Sequence, residues 1–161
     1  MPRSAETRNS PVPHERALAS EDPGPRGHAP QLVCVPPAQA AAIWPHVREL
    51  IRAAMRRGGL SSFRPVEASV LAGDALLWLA CDSESIQAAA VTELHATEWR
   101  KMCVVVACGG KNMRAWLPLL AGIETYARAA GCACVRILGR KGWARALPTY
   151  RTARIVLEKE L

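Results

Sequence analysis

The sequence predicts one α/β domain, a mixed and mostly antiparallel sheet with helices on both faces. Three observations carry that prediction. Apolar runs of strand length interleave with stretches of 3.6-residue periodicity. Three of the strand-like runs follow one another across short polar connections, which makes them antiparallel neighbours. A strand–helix–strand unit then closes the chain, and a meander followed by such a unit implies a mixed sheet covered on both sides.

Residues 1–30 stand apart. They hold half of the 12 prolines, few large apolar residues and no periodicity. Such a segment buries too little surface to offset its ordering entropy, so it is expected to be a disordered tail, with the domain spanning 31–161. Order begins at Gln31-Leu32-Val33-Cys34-Val35, a strand stopped by Pro36-Pro37. A helix follows with Ile43, Val47, Leu50, Ile51, Ala54 and Met55 on one face and Arg48, Arg52 and Arg56 on the wet side. Pro45 belongs in its first turn or breaks a shorter preceding one, since mid-helix it costs about 3 kcal/mol. Gly58-Gly59 stops it. A shorter helix is expected over 65–71, opened by Pro65.

Strands are expected at 75–81, 86–94 and 101–107, the last centred on Val104-Val105-Val106. Gly109-Gly110 closes the third, and a long helix opens near Asn112 with Trp116, Leu119, Leu120, Ile123, Tyr126 and Ala127 as its apolar stripe. Pro118 kinks its first turn or delays its regular part to about Ala115. Gly131 stops it. Residues 132–138 form a further strand, about 141–147 a short helix, and 154–160 the last strand.

Charge narrows the partners. The net charge is +7. In the tail Arg3, Arg8, Arg16 and Arg26 cancel Glu6, Glu15, Glu21 and Asp22, so the whole excess sits on 31–161. Residues 136–154 carry Arg136, Arg140, Lys141, Arg145, Arg151 and Arg154 with no acidic residue. That patch fits an anionic partner, a phosphate-bearing cofactor or nucleic acid, or is a solvated basic face. No apolar run approaches the roughly 20 residues that cross a bilayer. The N-terminus has no apolar export segment, so no membrane and a cytoplasmic setting are expected. The six cysteines lie mostly in apolar stretches and read as buried free thiols rather than a disulfide framework.

The order of elements over 31–161 resembles the GNAT superfamily of acyl-CoA-dependent N-acetyltransferases. Residues 116–140, ending Ala-Gly-Cys-Ala-Cys-Val-Arg-Ile-Leu-Gly-Arg, look like the helix, glycine stop and strand that follow that superfamily's cofactor loop. Gly142-Trp143-Ala144-Arg145-Ala146-Leu147 looks like its short penultimate helix. The chain also resembles compact GNAT-like proteins of phages and prophages. The resemblance implies an acetyl-CoA cosubstrate, an amine acceptor of unknown identity, and a diphosphate seated on backbone amides where a strand meets the long helix. Here the expected cofactor-binding residues are Val105, Ala107, Gly109, Gly110, Lys111, Asn112 and Arg114, with Asn112 as the helix cap. The superfamily's Gln/Arg-x-x-Gly-x-Gly/Ala spacing is not reproduced. Nor is its Tyr-x-x-x-Gly-Phe context: Leu147 stands at the Tyr position, with Tyr150 three residues on. Tyr150 as an acid and Glu93 as a base, with His95 on the same strand face, are the candidate catalytic groups. An alternative is a catalytically inactive binding module using 136–154 for nucleic acid or a protein.

Other constellations carry less. Cys132-x-Cys134 has no CxxC partner or matching histidine, so no metal is expected. Cys108 is either a packed thiol or one activated at a helix N-terminus. His14, His28, His46 and His95 are scattered. Trp78, Trp116 and Trp143 read as core, and Trp143, between Lys141 and Arg145, is the one to test as a ligand-contacting aromatic.

Overall fold

A computed structural model describes residues 29–58, 62–153 and 159. The expected tail, apart from its last two residues, and almost all of the last strand at 154–160 lie outside the described residues. Within them the chain forms β1 (Gln31–Val35), α1 (Pro37–Gly58), α2 (Phe63–Ala72), β2 (Leu76–Cys81), β3 (Ile86–Ala96) and β4 (Lys101–Gly110). Then come α3 (Met113–Trp116), a 3-10 turn (Leu117–Leu119), α4 (Leu120–Ala129), β5 (Cys134–Ile137) and α5 (Gly142–Ala146). The five strands lie in the order β1-β2-β3-β4-β5. The first three pairings are antiparallel and β4–β5 is parallel, the mixed sheet that the element order predicts.

Alternation along the strands builds a core on each face. Leu77, Leu79, Ala89, Val91 and Ala107 point to one side, where Trp44, Val47, Ile51 and Met55 of α1 and Val66 and Val70 of α2 cover them. Trp78, Ala90, Cys103 and Val105 point to the other, under Leu120, Ile123 and Ala127 of α4. Thr92, the one buried polar side chain among the described residues, is satisfied: Trp78 Nε1 donates to its Oγ1 at 2.9 Å.

Three local expectations change. Pro45 lies inside a single 22-residue helix rather than at its start, because Pro37 already opens α1 at its first position. The missing amide at Pro45 is tolerated: Ala40, Trp44 and Val47 around it are buried, and Trp44 Nε1 donates to Glu67 Oε1 of α2 at 2.6 Å. The long helix after β4 is broken. Pro118 turns it into one turn of α-helix, a 3-10 turn and the ten-residue α4. The thiols are free, but only Cys103 is fully buried; Cys34 is exposed and the other four are half-buried.

Candidate functional site

A register break in β4 makes the site. The β3–β4 pairing runs Val91↔Ala107 and then Thr92↔Val105, so Val106 is an extra residue on β4. Such a bulge bends the strand and increases its twist. On its other edge β4 pairs with β5 only from Met102↔Cys134 to Val105↔Ile137, and the last link is Leu138 N–H to the Val105 carbonyl at 3.1 Å. β4 runs on for five more residues while the chain after β5 turns off at Gly139. The two strands part there.

A cavity of about 490 Å³ fills the gap, within the roughly 300–1,000 Å³ usual for small-molecule sites. Its floor is Val105 to Gly110, and Ile137 to Arg140 face it across the gap. Ala54, Met55, Arg57 and Gly58 of α1 close one side; Met113, Trp116, Trp143 and Arg145 of α3 and α5 close the other. These sides belong to opposite faces of the sheet, since α1 covers the Leu77–Leu79 core and Trp143 packs on the Trp78 and Trp116 clusters. Arg57, Arg140 and Arg145 are its cations, and no carboxylate lines it among the described residues.

The strand backbone also faces the gap. Lys111 N–H donates to the Gln87 carbonyl at 2.9 Å, so in the β3–β4 ladder Lys111, Gly109 and Ala107 aim their polar groups at β3. Alternation turns those of Cys108 and Gly110 the other way, into the space that β5 vacates.

The glycines have a packing role that the sequence does not reveal. They lie in β4 itself rather than in a loop. A Cβ on Gly109 would stand 2.5 Å from the Leu50 carbonyl oxygen and 2.8 Å from Ala54 Cβ, so this glycine lets α1 lie against the sheet. A Cβ on Gly110 would stand 2.5 Å from the Gln87 carbonyl oxygen. Asn112 makes no cap bond. It takes a left-handed conformation, φ 47°, which asparagine tolerates, whereas a cap needs extended dihedrals. The turn is fixed instead by Trp116, whose Nε1 donates to the Lys111 carbonyl at 2.8 Å.

Of the residues nominated from the sequence, Val105, Ala107, Gly109 and Gly110 line the cavity, whereas Lys111, Asn112 and Arg114 follow it as exposed residues outside the lining. Neither proposed catalytic group lines it. Glu93 pairs with His95, Oε2 to Nε2 at 2.9 Å, on β3 opposite Val104. The Tyr150 hydroxyl donates to Glu124 Oε1 of α4 at 2.7 Å. Burial first, and then that hydrogen bond, push the phenol well above its ordinary value. Cys108 does line the cavity, but burial pushes its thiol up to about 12, opposite to activation. Trp143 packs on the core, as read from the sequence, and also lines the cavity, tilted against Trp116 with ring centroids 6.4 Å apart. Arg57 and Met55 were not foreseen. The only hint was the glycine stop at Gly58, because placing Arg57 requires knowing that α1 ends beside β4.

The fold recurs in solved structures. An aminoglycoside acetyltransferase from an uncultured soil metagenomic sample, solved with sisomicin, superposes with a TM-score of 0.60 at 10% identity, covering 83% of this chain and 97% of that one. The fold is GNAT-like. An acetyltransferase of Trypanosoma brucei shares the GNAT-like fold at a TM-score of 0.57 and 12% identity, over 82% of this chain and 99% of its own. A tetramutant of the BH1408 protein of Bacillus halodurans superposes at a TM-score of 0.58 and 14% identity, over 81% of this chain and 99% of its own. No family model and no curated protein matches the chain in sequence. Among the described residues no helix is long and apolar enough to cross a membrane, and no group of three or more His, Cys, Asp or Glu is placed to hold a metal.

Proposed function

We propose that the chain binds acetyl-CoA in the β4–β5 gap and transfers the acetyl group to an amine. The observation that carries this reading is the gap itself: free strand backbone along one wall, arginines around it, and no carboxylate among the described lining residues. Acetyl-CoA supplies a thioester carbon on which a C–N bond forms as the C–S bond breaks, the amine proton ending on sulfur. The chain's own residues bind and orient. The backbone groups of Cys108 and Gly110 suit the amide-bearing arm of the cosubstrate, with Val105, Ala107 and Gly109 shaping the wall. Arg140 and Arg145 present guanidinium forks that match phosphate oxygens two at a time. Lys111 and Arg114, on either side of the Asn112 turn, add a longer-range positive field. A one-turn α3 contributes little dipole, so the arginines carry the anion. Six unpaired cysteines support a reducing, cytoplasmic setting.

Catalysis would come chiefly from positioning. An amine among guanidinium groups is driven toward its neutral, nucleophilic form, because like charge disfavours the ammonium. Glu93 and Tyr150 keep the partners described above. Calorimetry with acetyl-CoA and CoA tests the reading. Binding should be measurable with both and fall by about tenfold or more in Arg140→Glu/Arg145→Glu, the loss of two charge-assisted contacts. No binding would overturn it.

The lack of any carboxylate, histidine, lysine or tyrosine among the described lining residues favours a second reading, a non-catalytic module that grips nucleic acid or a protein through 136–154. It requires retention on DNA, RNA or a protein partner without CoA binding, with nucleic-acid retention weakening steeply as salt rises.

A further inference from the structure

We infer that the acceptor is an amine that also carries an anionic group, a carboxylate or a phosphate, and that Arg57 holds that group. The inference rests on the acetyl-transfer reading and concerns the same cavity. The gap runs between the two helical layers, with α1 on one face of the sheet and α3 and α5 on the other. CoA is linear, its phosphates gathered at the end remote from the thioester. That end finds Arg140 and Arg145, which come from the β5–α5 side. The thioester then lies toward the middle of the gap, and the acceptor reaches it from the α1 side.

What α1 offers there is Arg57, with Met55, Ala54 and Gly58. Arg56 beside it is exposed and adds a second positive charge to the same turn. A polycationic amine meets like charge on this approach and no carboxylate among the described lining residues. An amine bearing an anion gains a guanidinium contact, and the same arginine favours its neutral nitrogen. The preference therefore runs against polyamines and aminoglycosides, although the fold is shared with an aminoglycoside acetyltransferase.

The test uses the full chain saturated with CoA and matched probes: phosphoethanolamine against ethanolamine, alanine against alaninamide, and spermidine as the polycation. Calorimetry should show at least one anionic member of a pair bound about tenfold or more tighter than its neutral partner, with spermidine weaker than either. Arg57→Glu should erase that preference, costing the anionic probe at least about fivefold more than it costs acetyl-CoA, and Arg57→Lys should recover part of it. A phosphate-only or carboxylate-only preference identifies which anion the site takes. Equal binding within both pairs, spermidine binding as well as the anionic probes, or a preference that survives Arg57→Glu overturns the inference and leaves acetyl-CoA binding standing. Failure of acetyl-CoA itself to bind overturns the parent reading and this inference with it.

Discussion

Tyr150 ties the turn after α5 to α4 through Glu124, which also meets Arg128 at 3.6 Å. Tyr150→Phe should therefore lower stability by about 1 kcal/mol, read by denaturant unfolding, with little loss of transfer activity. A loss of activity well beyond the loss of stability would return Tyr150 to the chemistry. The pH dependence has a definite sign. The folded phenol is pushed above its ordinary value of 10.0, so it holds its proton more tightly than in the unfolded chain. Its contribution is whole below about pH 10 and erodes as pH rises past it. Unfolding midpoints of the unmodified chain and Tyr150→Phe should converge in that range. Cys108 gives a second check at this scale. A thiol pushed up to about 12 is thiolate in only about one molecule in ten thousand at pH 8, so iodoacetamide should label exposed Cys34 long before Cys108. Prompt labelling of Cys108 by mass spectrometry would contradict the burial that the structure gives it.

Elements meet at the end of β4. Gly109 is a point of close backbone approach between α1 and the sheet, and the added methyl of Gly109→Ala collides with backbone that cannot swing aside. Overpacking of this kind costs about 1–3 kcal/mol, and moving α1 also moves Arg57 and Met55 in the cavity wall. Melting temperature and acetyl-CoA affinity should fall together. Gly58→Ala is the control: nothing lies within 4 Å of the added methyl and the backbone is not left-handed, so stability should hold or rise slightly. A neutral Gly109→Ala would show that α1 does not sit where the cavity needs it. The sequence foretold that glycines stand at this point, but it could not show that they serve helix-on-sheet contact as much as ligand approach. Both uses call for the same missing side chain.

At the scale of the whole molecule, the charge excess of +7 lies outside the first thirty residues, and three of its arginines line the cavity between β4 and β5. Acetyl-CoA affinity should fall as salt is raised from low to physiological ionic strength, because the guanidinium groups are exposed and screened. A salt-independent affinity would mean that backbone, not arginine, holds the phosphates. The order of elements along the chain, the antiparallel meander of β2, β3 and β4, helices on both faces and the basic segment at 136–154 were all legible in the sequence. They follow from period, turn residues and charge, which are local properties.

The sequence by itself determined which segments are strands and helices, that the three consecutive strands pair antiparallel, and which faces are apolar, since a strand's alternation and a helix's stripe are written residue by residue; the pairings of β1 with β2 and of β4 with β5 came from the fold. Only the tertiary structure decided where β4 and β5 part, that Val106 is the extra residue, and that Arg57 and Arg145 come from opposite layers to one gap. Tyr150 was placed by the same means, on α4 rather than in the gap. Each of these depends on how far one element extends past its neighbour, and that is set by packing between residues distant in the chain rather than by any pattern within one stretch.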